Sequence, residues 1–475
     1  IARDDITIYA GSAGSYNEAL SIGTGVSLVF EGGAGIAATS GAAVTVTSGP
    51  VAIEGGTFGS DDESALVVNG GAVTVTDGVY AATADVSTIV VTSGTLSLRS
   101  ALVTETASGD QAALNVIGGE VDAGNGTSLG GNTFNVQGDG VLIDNTGPSN
   151  MLALGNTFQI DGQAETDNFA IESEIVHKMD NNAFGLVTWV ENNVYVTTDT
   201  LGIQQGVDVV GDSGSGPYVV NVDAGTYEED VTISSPRQLV GVGNPTANSF
   251  TLASGANILG STGIASGNVT VETGATINQG FLILESGGTL TIDGTFVTQT
   301  VEPTKDATII ATGSSVSSPT GAVVNVTDHL ITLEGGTFTA ETGSPAALRV
   351  SGGSLVASNA TLASESDTAG ASTVAVSGGS LTLQGSTVTE TNAAEGVGVN
   401  ITGGTVDLGI ATASGDNTFD VTGDGLLIRN TGGENVSALG NTFRIDGTAA
   451  ADNFAIENKV DHKMDDGTYG LVTWD

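Results

Sequence analysis

The chain repeats one short pattern, in Gly70-Gly-Ala-Val-Thr-Val75, Ser93-Gly-Thr-Leu-Ser-Leu98 and Gly118-Gly-Glu-Val-Asp122, which begin 23 to 25 residues apart. In each stretch a pair of small residues leads into alternating apolar and polar side chains, the pattern of a strand with one buried face. A period near 24 residues, with several short strands per period, is typical of one coil of a parallel β-solenoid. The sequence therefore predicts stacked coils with Val and Leu inside and Thr and Ser outside.

Asparagines mark the same period, because Asn132 and Asn156 stand 24 residues apart and Asn417 and Asn441 repeat that spacing. Stacked coils align like residues, so these side chains could form a ladder in which amides bond from coil to coil. The alternative is that each Asn simply favours its own turn. A Thr- and Gly-rich β-sandwich array is the second candidate fold, but it does not naturally produce a coil repeat of this length.

A longer repeat divides the chain into two related halves. Residues 156–189 return as residues 441–474, at a constant offset of 285. Both copies contain Asp-Asn-Phe-Ala-Ile-Glu, then His-Lys-Met-Asp, then Gly-Leu-Val-Thr-Trp, which chance cannot produce. The sequence predicts two tandem homologous modules, residues 1–198 and residues 199–475, each ending in this junction segment. The second carries about 70 additional residues, or about three coils, which a solenoid tolerates because each coil contacts only its neighbours.

Composition limits the classes to which the chain can belong. Apolar residues make up 39%, aromatic residues only 5%, and Gly occurs 71 times, which suits short strands and frequent turns. The net charge of −44 repels nucleic acid and anionic membranes and attracts cations such as Ca²⁺, although a saline habitat gives the same balance. There is no Cys, which excludes disulfides and thiol-based sites. No apolar run reaches the roughly 18 residues that a membrane span needs.

Residues 198–210 are the clearest candidate for a helix. Four apolar side chains fall roughly on one face of it: Leu201, Ile203, Val207 and Val210. Either Asp199 or Thr200 can provide the N-cap. We therefore expect a short amphipathic helix between the two modules.

This region carries a resemblance to a known superfamily. Ile203-Gln-Gln-Gly-Val-Asp208, followed by a strand and by Gly225-Thr-Tyr-Glu-Glu-Asp-Val-Thr-Ile233, resembles the start of right-handed β-helix domains of the pectate-lyase-like superfamily. In those domains a helix covers the open end of the solenoid, where apolar core and strand edges are otherwise exposed. The junction segment, extended by Asn193-Val-Tyr-Val-Thr197, resembles segments of large tandem-repeat bacterial exoproteins and adhesins. The resemblance implies a right-handed parallel β-helix with a capping helix at the junction of the modules.

The two ends of the chain lack parts that its centre has. Residues 191–211, which contain the Val-Tyr-Val strand and the helix, have no counterpart after Asp475 or before Ile1. Because the sequence also starts without an initiator Met, we expect a processed chain or a window of a longer array, with ends that bind neighbours. Head-to-tail contacts between such ends are heterologous and give an open filament.

The sequence predicts no catalytic site. Enzymes of the superfamily resembled here use either Asp-bound Ca²⁺ with an Arg or Lys base, or paired carboxylates. None of the six arginines stands in an acidic cluster beside a second base: Arg3, Arg99, Arg237, Arg349, Arg429 and Arg444. A polyanionic sugar substrate would also need a basic cleft, which the strongly acidic composition disfavours.

Three acidic residues are the candidate ligands of Ca²⁺, namely Asp139, Asp144 and Asp424. Asp139 lies in a Gly-Asp-Gly turn, Asp424 is its copy, and such a turn offers carboxylate and carbonyl oxygens. The alternative is a tight turn that only uses Gly at positive φ. Asp144 becomes Arg429 in the second copy, which removes one presumed ligand.

Histidine and aromatic residues of the junction segment are duplicated as well. His177 and His462 could bind a metal beside Asp180 and Asp465, but duplication also preserves packing, which favours hydrogen-bonded structural residues. The aromatic residues are predicted to form the core of each junction: Phe169, Trp189, Phe454 and Trp474.

These observations predict an extracellular structural protein of the cell surface, a subunit or segment of a filament. Its partners would be copies of itself joined head to tail, with no nucleic acid and no membrane span. The first alternative is an adhesin stalk or a carbohydrate-binding β-helix, with surface glycans as partners. A polysaccharide lyase or hydrolase is the third hypothesis.

Overall fold

The structure is a computed structural model that describes most of the chain. The described residues are 6–10, 14–23, 26–31, 33–107, 109–213, 218–233, 237–242, 245–252, 257–259, 269–271, 276–278, 281–282, 289–292, 295–297, 300–301, 303, 306–367, 371–392 and 396–475.

The fold is an all-β parallel solenoid of about 15 turns, in which only 5% of the residues are helical. Strands pair in parallel with strands one coil away, as residues 66–68 do with residues 89–91. This arrangement confirms the predicted solenoid and is not that of a β-sandwich, whose sheets are antiparallel. Two short hairpins pair antiparallel, Thr157–Ile160 with Gln163–Glu165 and Thr442–Ile445 with Thr448–Ala449.

The chain forms two compact units, Ile1–Asn221 and Val222–Asp475. This division follows contacts in space, whereas the predicted modules 1–198 and 199–475 follow the duplication, so the module boundary stays a prediction. No helix in the described part of the chain is long and apolar enough to cross a membrane.

Unit 1 winds around three faces, and each face continues from coil to coil. The first face includes Pro50–Glu54 and the second includes Thr57–Ser60, while the third includes Val44–Val46. The strands Leu66–Ala82 and Ile89–Glu105 each run through all three faces within 17 residues. The remaining strands, including one at the unit boundary, are Ile6–Ala10, Gly14–Tyr16, Leu20–Ile22, Val26–Phe30, Ala34–Ala38, Ala112–Val116, Glu120–Asp122, Thr133–Val136, Val141–Asp144, Met151–Leu152, Thr157–Ile160, Gln163–Glu165, Ile175–Val176, Val187–Thr188, Asn193–Val196 and Tyr218–Val222.

Unit 2 repeats the three faces. Leu330–Glu334 lies on the first face, Thr337–Ala340 on the second and Leu348–Val350 on the third. Its other strands are Thr226–Ile233, Arg237–Gly241, Thr246–Leu252, Asn257–Leu259, Val269–Val271, Thr276–Asn278, Phe281–Leu282, Thr289–Ile292, Thr295–Val297, Thr300–Val301, Ala307–Ile310, Ser315–Ser318, Val324–Val326, Ser354–Ser358, Thr361–Ser364, Ser372–Val376, Ser380–Gln384, Thr387–Glu390, Val397–Ile401, Thr405–Asp407, Thr418–Val421, Leu426–Asn430, Val436–Ser437, Thr442–Ile445, Thr448–Ala449, Val460–Asp461 and Val472–Thr473.

The core lies inside the coils and follows the predicted alternation. Val73 and Val75 of the quoted repeat are buried, and Val116 is buried as predicted. The rings of Phe58 and Tyr80, one coil apart on the second face, stack at 4.9 Å with an interplanar angle of 15°. Full burial of one such apolar side chain stabilises a fold by about 2 kcal/mol, so aligned inward columns account for much of the stability.

Close contact between successive coils explains why pairs of a small residue and Gly recur along the chain. Gly94 and Gly119 both adopt positive φ, at +86° and +82°, in the turn that leads into the first face. A Cβ on Gly94 would overlap the carbonyl oxygen of Gly71 in the coil below, and a Cβ on Gly119 would overlap that of Gly94. Glycine therefore recurs with the coil period because the backbones of successive turns stack in direct contact.

The asparagine ladder exists in unit 1. The side-chain amide of the buried Asn132 donates to Oδ1 of Asn156 over 3.0 Å, and that oxygen also accepts the backbone N–H of Asn132 over 2.9 Å. In unit 2 Oδ1 of Asn441 accepts the backbone N–H of Asn417 over 2.8 Å. The interpretation as a coil-to-coil ladder is confirmed, because the side chains satisfy polar groups of adjacent turns.

Three short α-helices occur in the described residues: α1 at Asn168–Ser173, α2 at Ile203–Val209 and α3 at Asn453–Glu457. The helix predicted at residues 198–210 is therefore shorter, and a 3₁₀ turn at Val210–Asp212 continues it.

The predicted N-cap of α2 is wrong. Neither Asp199 nor Thr200 caps the helix, because Oγ1 of Thr200 donates to the carbonyl of Thr197 and closes a separate turn. The cap position is Gly202, at a φ of 112°, and Leu201 before it is 51% exposed rather than on the buried face.

Candidate functional site

The two copies of the junction fold alike at their cores. We call residues 167–189 the first junction and residues 452–474 the second junction. Asp167 begins the first by accepting the backbone N–H of Phe169 over 3.0 Å, and Asp452 begins the second by accepting that of Ala455 over 2.9 Å. These caps place α1 and α3 at equivalent positions, because a side-chain oxygen satisfies a free N–H at the helix start.

A buried histidine organises each junction. In the first, Nε2 of His177 lies 2.9 Å from Oε1 of Glu172, and Nδ1 accepts the backbone N–H of Val187 over 3.0 Å. Because Nδ1 is an acceptor here, the ring proton is on Nε2 and is donated to the carboxylate.

The second junction repeats this arrangement, with 3.2 Å between Nε2 of His462 and Oε1 of Glu457 and 3.0 Å between Nδ1 and the backbone nitrogen of Val472. Both ring nitrogens are engaged in each copy, so the prediction of hydrogen-bonded structural histidines is confirmed. Sequence reasoning missed the glutamates, although each stands five residues before its histidine in both copies.

The first junction is electrostatically unusual. Burial raises the pKa of the Glu172 carboxyl, and its second oxygen, Oε2, has no hydrogen-bond partner within the described residues. Burial, together with the charge of Glu172, raises the pKa of Tyr195 to about 12. The carboxyl group of Glu172 thus lies close to aromatic side chains, where its charged form is poorly solvated.

A segment that follows the first junction covers it. We call residues 190–213, which contain a strand and α2, the cover segment. The ring of Tyr195 stacks on Trp189 at 5.3 Å and meets Phe169 edge-on at 5.6 Å. The backbone N–H of Leu201 donates to the carbonyl of Met179 over 2.8 Å.

The cover segment also makes polar contacts with Lys178. The side-chain amide of Gln205 donates to the carbonyl of Lys178 over 2.7 Å, and the Lys178 ammonium pairs with Asp212 at 2.7 Å. The strand, α2 and the 3₁₀ turn of the cover segment therefore each contact the first junction, through Tyr195, Gln205 and Asp212.

The second junction has an exposed apolar surface. Met464 is 72% exposed, whereas its counterpart Met179 is 0% exposed. Phe454 is 80% exposed, so its prediction as junction core is wrong, and its counterpart Phe169 is half-buried. In the first copy the ring of Tyr195 packs on Phe169, and Gln205 of α2 donates to the carbonyl of Lys178.

The tryptophans follow the same trend. Trp189 is buried, which confirms its prediction as junction core, and Trp474 is half-buried. Trp474 keeps its place beside His462, at 5.9 Å and 42°, against 6.2 Å and 45° for His177 and Trp189. The exposed surface is thus preformed and not a rearranged version of the first.

The predicted calcium ligands occupy different settings. Asp139 is exposed in its turn, and the turn is fixed by the carboxylate of Asp161, which accepts the backbone N–H of Gly138 over 2.9 Å. Asp144 is partly buried on the third face, burial raises its pKa, and its Oδ1 has no partner within the described residues. Among the described residues, no group of three or more His, Cys, Asp or Glu is placed to hold a metal.

The two Gly-Asp-Gly turns differ in their surroundings. In unit 1, burial and the charges of Asp139 and Asp161 raise the pKa of Glu174. In unit 2, Lys459 takes the position of Glu174, and its ammonium donates to the carbonyl of Gly423, beside Asp424, over 2.7 Å. The second turn therefore has a built-in cation where the first has a third carboxylate.

An open groove runs along the first face of unit 1. Arg99 pairs there with Asp122 at 2.7 Å. Burial raises the pKa of Asp122, but hydrogen bonds from Arg99 and from the backbone of Gly124 outweigh it and lower the pKa. The lining residues are Ala72, Val73, Thr74, Thr95, Leu96, Ser97, Glu120, Val121, Asp122, Asn125, Ser149, Asn150 and Leu152, none of which is aromatic.

Comparisons with known proteins add no relative. No family model matches the chain, and the searches of curated proteins and of solved structures find no match either.

Proposed function

We propose that the chain is a non-enzymatic extracellular structural protein of the cell surface, a subunit or segment of a filament that assembles head to tail through solenoid ends. The observation that supports this is the repetitive parallel solenoid of about 15 turns, which carries two copies of the same junction segment. One surface that binds a different surface on the next molecule generates an open chain of molecules.

The proposal includes the handedness and the ancestry of the fold. We propose right-handed coils and kinship with pectate-lyase-like domains and tandem-repeat exoproteins, which residues 203–208 support by their resemblance. The offset of 285 residues supports the descent of both modules from one ancestor. These proposals predict that isolated residues 1–198 and 199–475 each retain β-solenoid structure.

We propose that Ca²⁺ binds at the Gly-Asp-Gly turn of Asp139. The carboxylates of Asp139 and Asp161 lie close enough to Glu174 to raise its pKa, and Ca²⁺ prefers such oxygen ligands. Asp139 is the ligand proposed here, because Asp144 lies in a separate, partly buried setting on the third face. Asp424 would bind Ca²⁺ more weakly, since the ammonium of Lys459 already lies beside its turn.

Negative-stain electron microscopy of the purified chain, with and without Ca²⁺, tests the proposal. We expect long uniform fibres, whose abundance depends on Ca²⁺ if the turn of Asp139 contributes to assembly. Short isolated rods under every condition, together with a monomeric mass in sedimentation, would contradict it.

A carbohydrate-binding surface is the second candidate function. The open groove of the first face favours it, because hydroxyl, amide and carboxylate groups such as those of Ser97, Asn125 and Glu120 can bond to sugar hydroxyls. A glycan array probed with the chain tests it. Binding that the substitutions Glu120→Gln and Asp122→Asn abolish would support it.

A further inference from the structure

A groove on the third face of unit 2 has a cation in its wall. Its volume is about 330 Å³, and it extends over three successive coils, because Arg349, Ala375 and Asn400 are register partners that all line it. The described residues that line it include no carboxylate. The groove on the first face of unit 1 differs in this respect, since Glu120 and Asp122 line it. The groove of unit 2 is therefore suited to an anionic ligand.

The guanidinium of Arg349 is available to such a ligand. The residue is exposed, and its side chain makes no ion pair and no hydrogen bond within the described part of the chain. Arg429, which follows Asn400 in the same column, is instead paired with Asp461 at 3.3 Å. A guanidinium without a carboxylate partner attracts anions locally, even in a chain with 54 acidic residues against 10 basic ones.

Unit 1 shows that the solenoid does not need this cation. The two coils before Asn115 carry Val90 and Val67 in the outward column of the third face. In unit 2 the same places, counted from the copy of Asn115, carry Ala375 and Arg349. One difference reduces the bulk of a side chain and the other introduces a charge. The groove is thus a feature that unit 2 adds to a shared fold.

The free donors of the groove fit a sulfate ester. A guanidinium offers two parallel N–H donors to an oxyanion, and the hydroxyls of Ser372 and Ser377 line the groove from the next coil. The hydroxyl of Thr402 is already used, since it donates to the carbonyl of Val376 over 3.4 Å. A sulfate ester has three terminal oxygens, so it can accept from the guanidinium and from both serines. It carries a single negative charge, which an acidic chain repels less than the nearly double charge of a phosphate ester.

The remainder of the groove suits one sugar ring. Its volume lies at the lower end of the range of ligand pockets. The amide of Asn400 can bond to sugar hydroxyls, and the apolar walls formed by Pro345 and Ala375 can contact the C–H groups of the ring.

We propose that the groove around Arg349 binds a sulfated sugar unit, with the sulfate on the guanidinium. The ligand is either a free sugar sulfate or one unit of a glycan, because both present the same group to the groove. The site shares no residue with the groove on unit 1 and does not depend on head-to-tail assembly.

Isothermal titration calorimetry of the full chain tests this site. The probes are a monosulfated glucose, glucose itself, inorganic sulfate and glucuronate, in which a carboxylate replaces the sulfate. We expect the sulfated glucose to bind at one site per chain, more tightly than glucuronate. Glucose and inorganic sulfate should bind at least about tenfold more weakly, because each lacks the charge-assisted or the sugar contacts.

Three variants locate the ligand. Arg349→Val introduces the residue that unit 1 has at this place and should weaken binding at least about tenfold. Ala375→Val keeps every charge but narrows the groove, so it should weaken binding as well. Arg444→Val removes the same charge from an exposed position on the second face and should bind like the unchanged chain. Circular dichroism establishes that each variant is folded.

Several outcomes would overturn the inference. Failure of the sulfated glucose to bind, or equal binding of inorganic sulfate or glucose, would exclude a sulfated sugar as the ligand, and tighter binding of glucuronate would exclude the sulfate. Unchanged binding in Arg349→Val or in Ala375→Val would place the ligand outside this groove, and an equal loss in Arg444→Val would attribute the binding to net charge alone.

Discussion

The first and second junctions share most of their sequence and the hydrogen bonds of their histidines, yet they differ in the burial of equivalent apolar side chains. His177 and His462 hold equivalent partners at almost equal distances. Met179 and Met464, by contrast, are 0% and 72% exposed. Local sequence thus determines the capped helix and the histidine network, while Met179 is buried where the cover segment contacts the first junction. The two copies also differ in sequence, most clearly where Lys459 replaces Glu174.

The largest effect is expected from displacing the cover segment. Ile203 is a fully buried residue of α2, so Ile203→Asp places a charge in an apolar site and should destabilise unit 1 by about 4 kcal/mol. Met179 should then oxidise as readily as Met464. Urea unfolding and peroxide mapping measure both effects.

A neighbouring residue supplies the control for this substitution. Leu201→Asp changes a side chain that is 51% exposed, so stability should change by no more than about 0.5 kcal/mol. If Ile203→Asp leaves Met179 protected and the urea midpoint unchanged, the cover segment is not what buries the first junction.

The methionine pair should show the next largest effect. Met179→Ala removes a buried side chain and should cost about 3 kcal/mol through lost packing and a cavity, whereas Met464→Ala should cost about 0.5 kcal/mol or less. Each tryptophan reports on its own junction, so the Trp474→Phe background isolates unit 1 and Trp189→Phe isolates unit 2. Equal losses in both copies would show that the second junction is covered in solution.

The phenylalanine pair should differ less. Phe169 is half-buried against Tyr195, so Phe169→Ala should cost about 2 kcal/mol by loss of the edge-to-face contact and its apolar area. Phe454→Ala should change stability by about 0.5 kcal/mol or less, since the ring lies in solvent. Thermal unfolding of the matched variants compares them, and a larger loss for Phe454→Ala would reverse the assignment of the covered copy.

Most of the solenoid could be predicted from the sequence, because its coil period, alternation and stacking glycines are local and repeated. The ladder of Asn132 and Asn156 was predictable for the same reason. The exposure of Phe454 was not, since duplication reveals that two residues share an ancestor but not whether a third segment packs on both. The predicted N-cap of α2 was wrong because the hydroxyl of Thr200 donates to the carbonyl of Thr197, in a separate turn before the helix.

The candidate sites were less predictable than the coils. The repeated His-Lys-Met-Asp drew attention to Asp180, yet the partner of the His177 ring is Glu172, which lies on the preceding helix. The contrast between Glu174 and Lys459 was visible in the alignment of the copies, but its meaning required the position of the Gly-Asp-Gly turn in space.

The smallest difference expected between the junctions lies in their response to pH. Burial raises the pKa of Glu172, with His177, Asp180 and Tyr195 around it, so the folded chain binds this proton more tightly than the unfolded chain. The stabilisation is therefore complete below the unfolded pKa of about 4.3 and is lost as the pH rises through the folded pKa. Unit 1 should become less stable as the pH rises above about 4.3, and the raised pKa of His177 beside Glu172 adds to this fall.

Substituting the buried carboxyl isolates this effect from the general repulsion of a chain with a net charge of −44. Glu172→Gln should flatten the fall in stability with rising pH, and Glu457→Gln, at a side chain that is 38% exposed, is the matched charge control. Urea midpoints over a pH series in the Trp474→Phe background provide the measurement. Because both substitutions remove the same charge, equal slopes would attribute the pH dependence to net charge and not to the carboxyl buried beneath the cover segment.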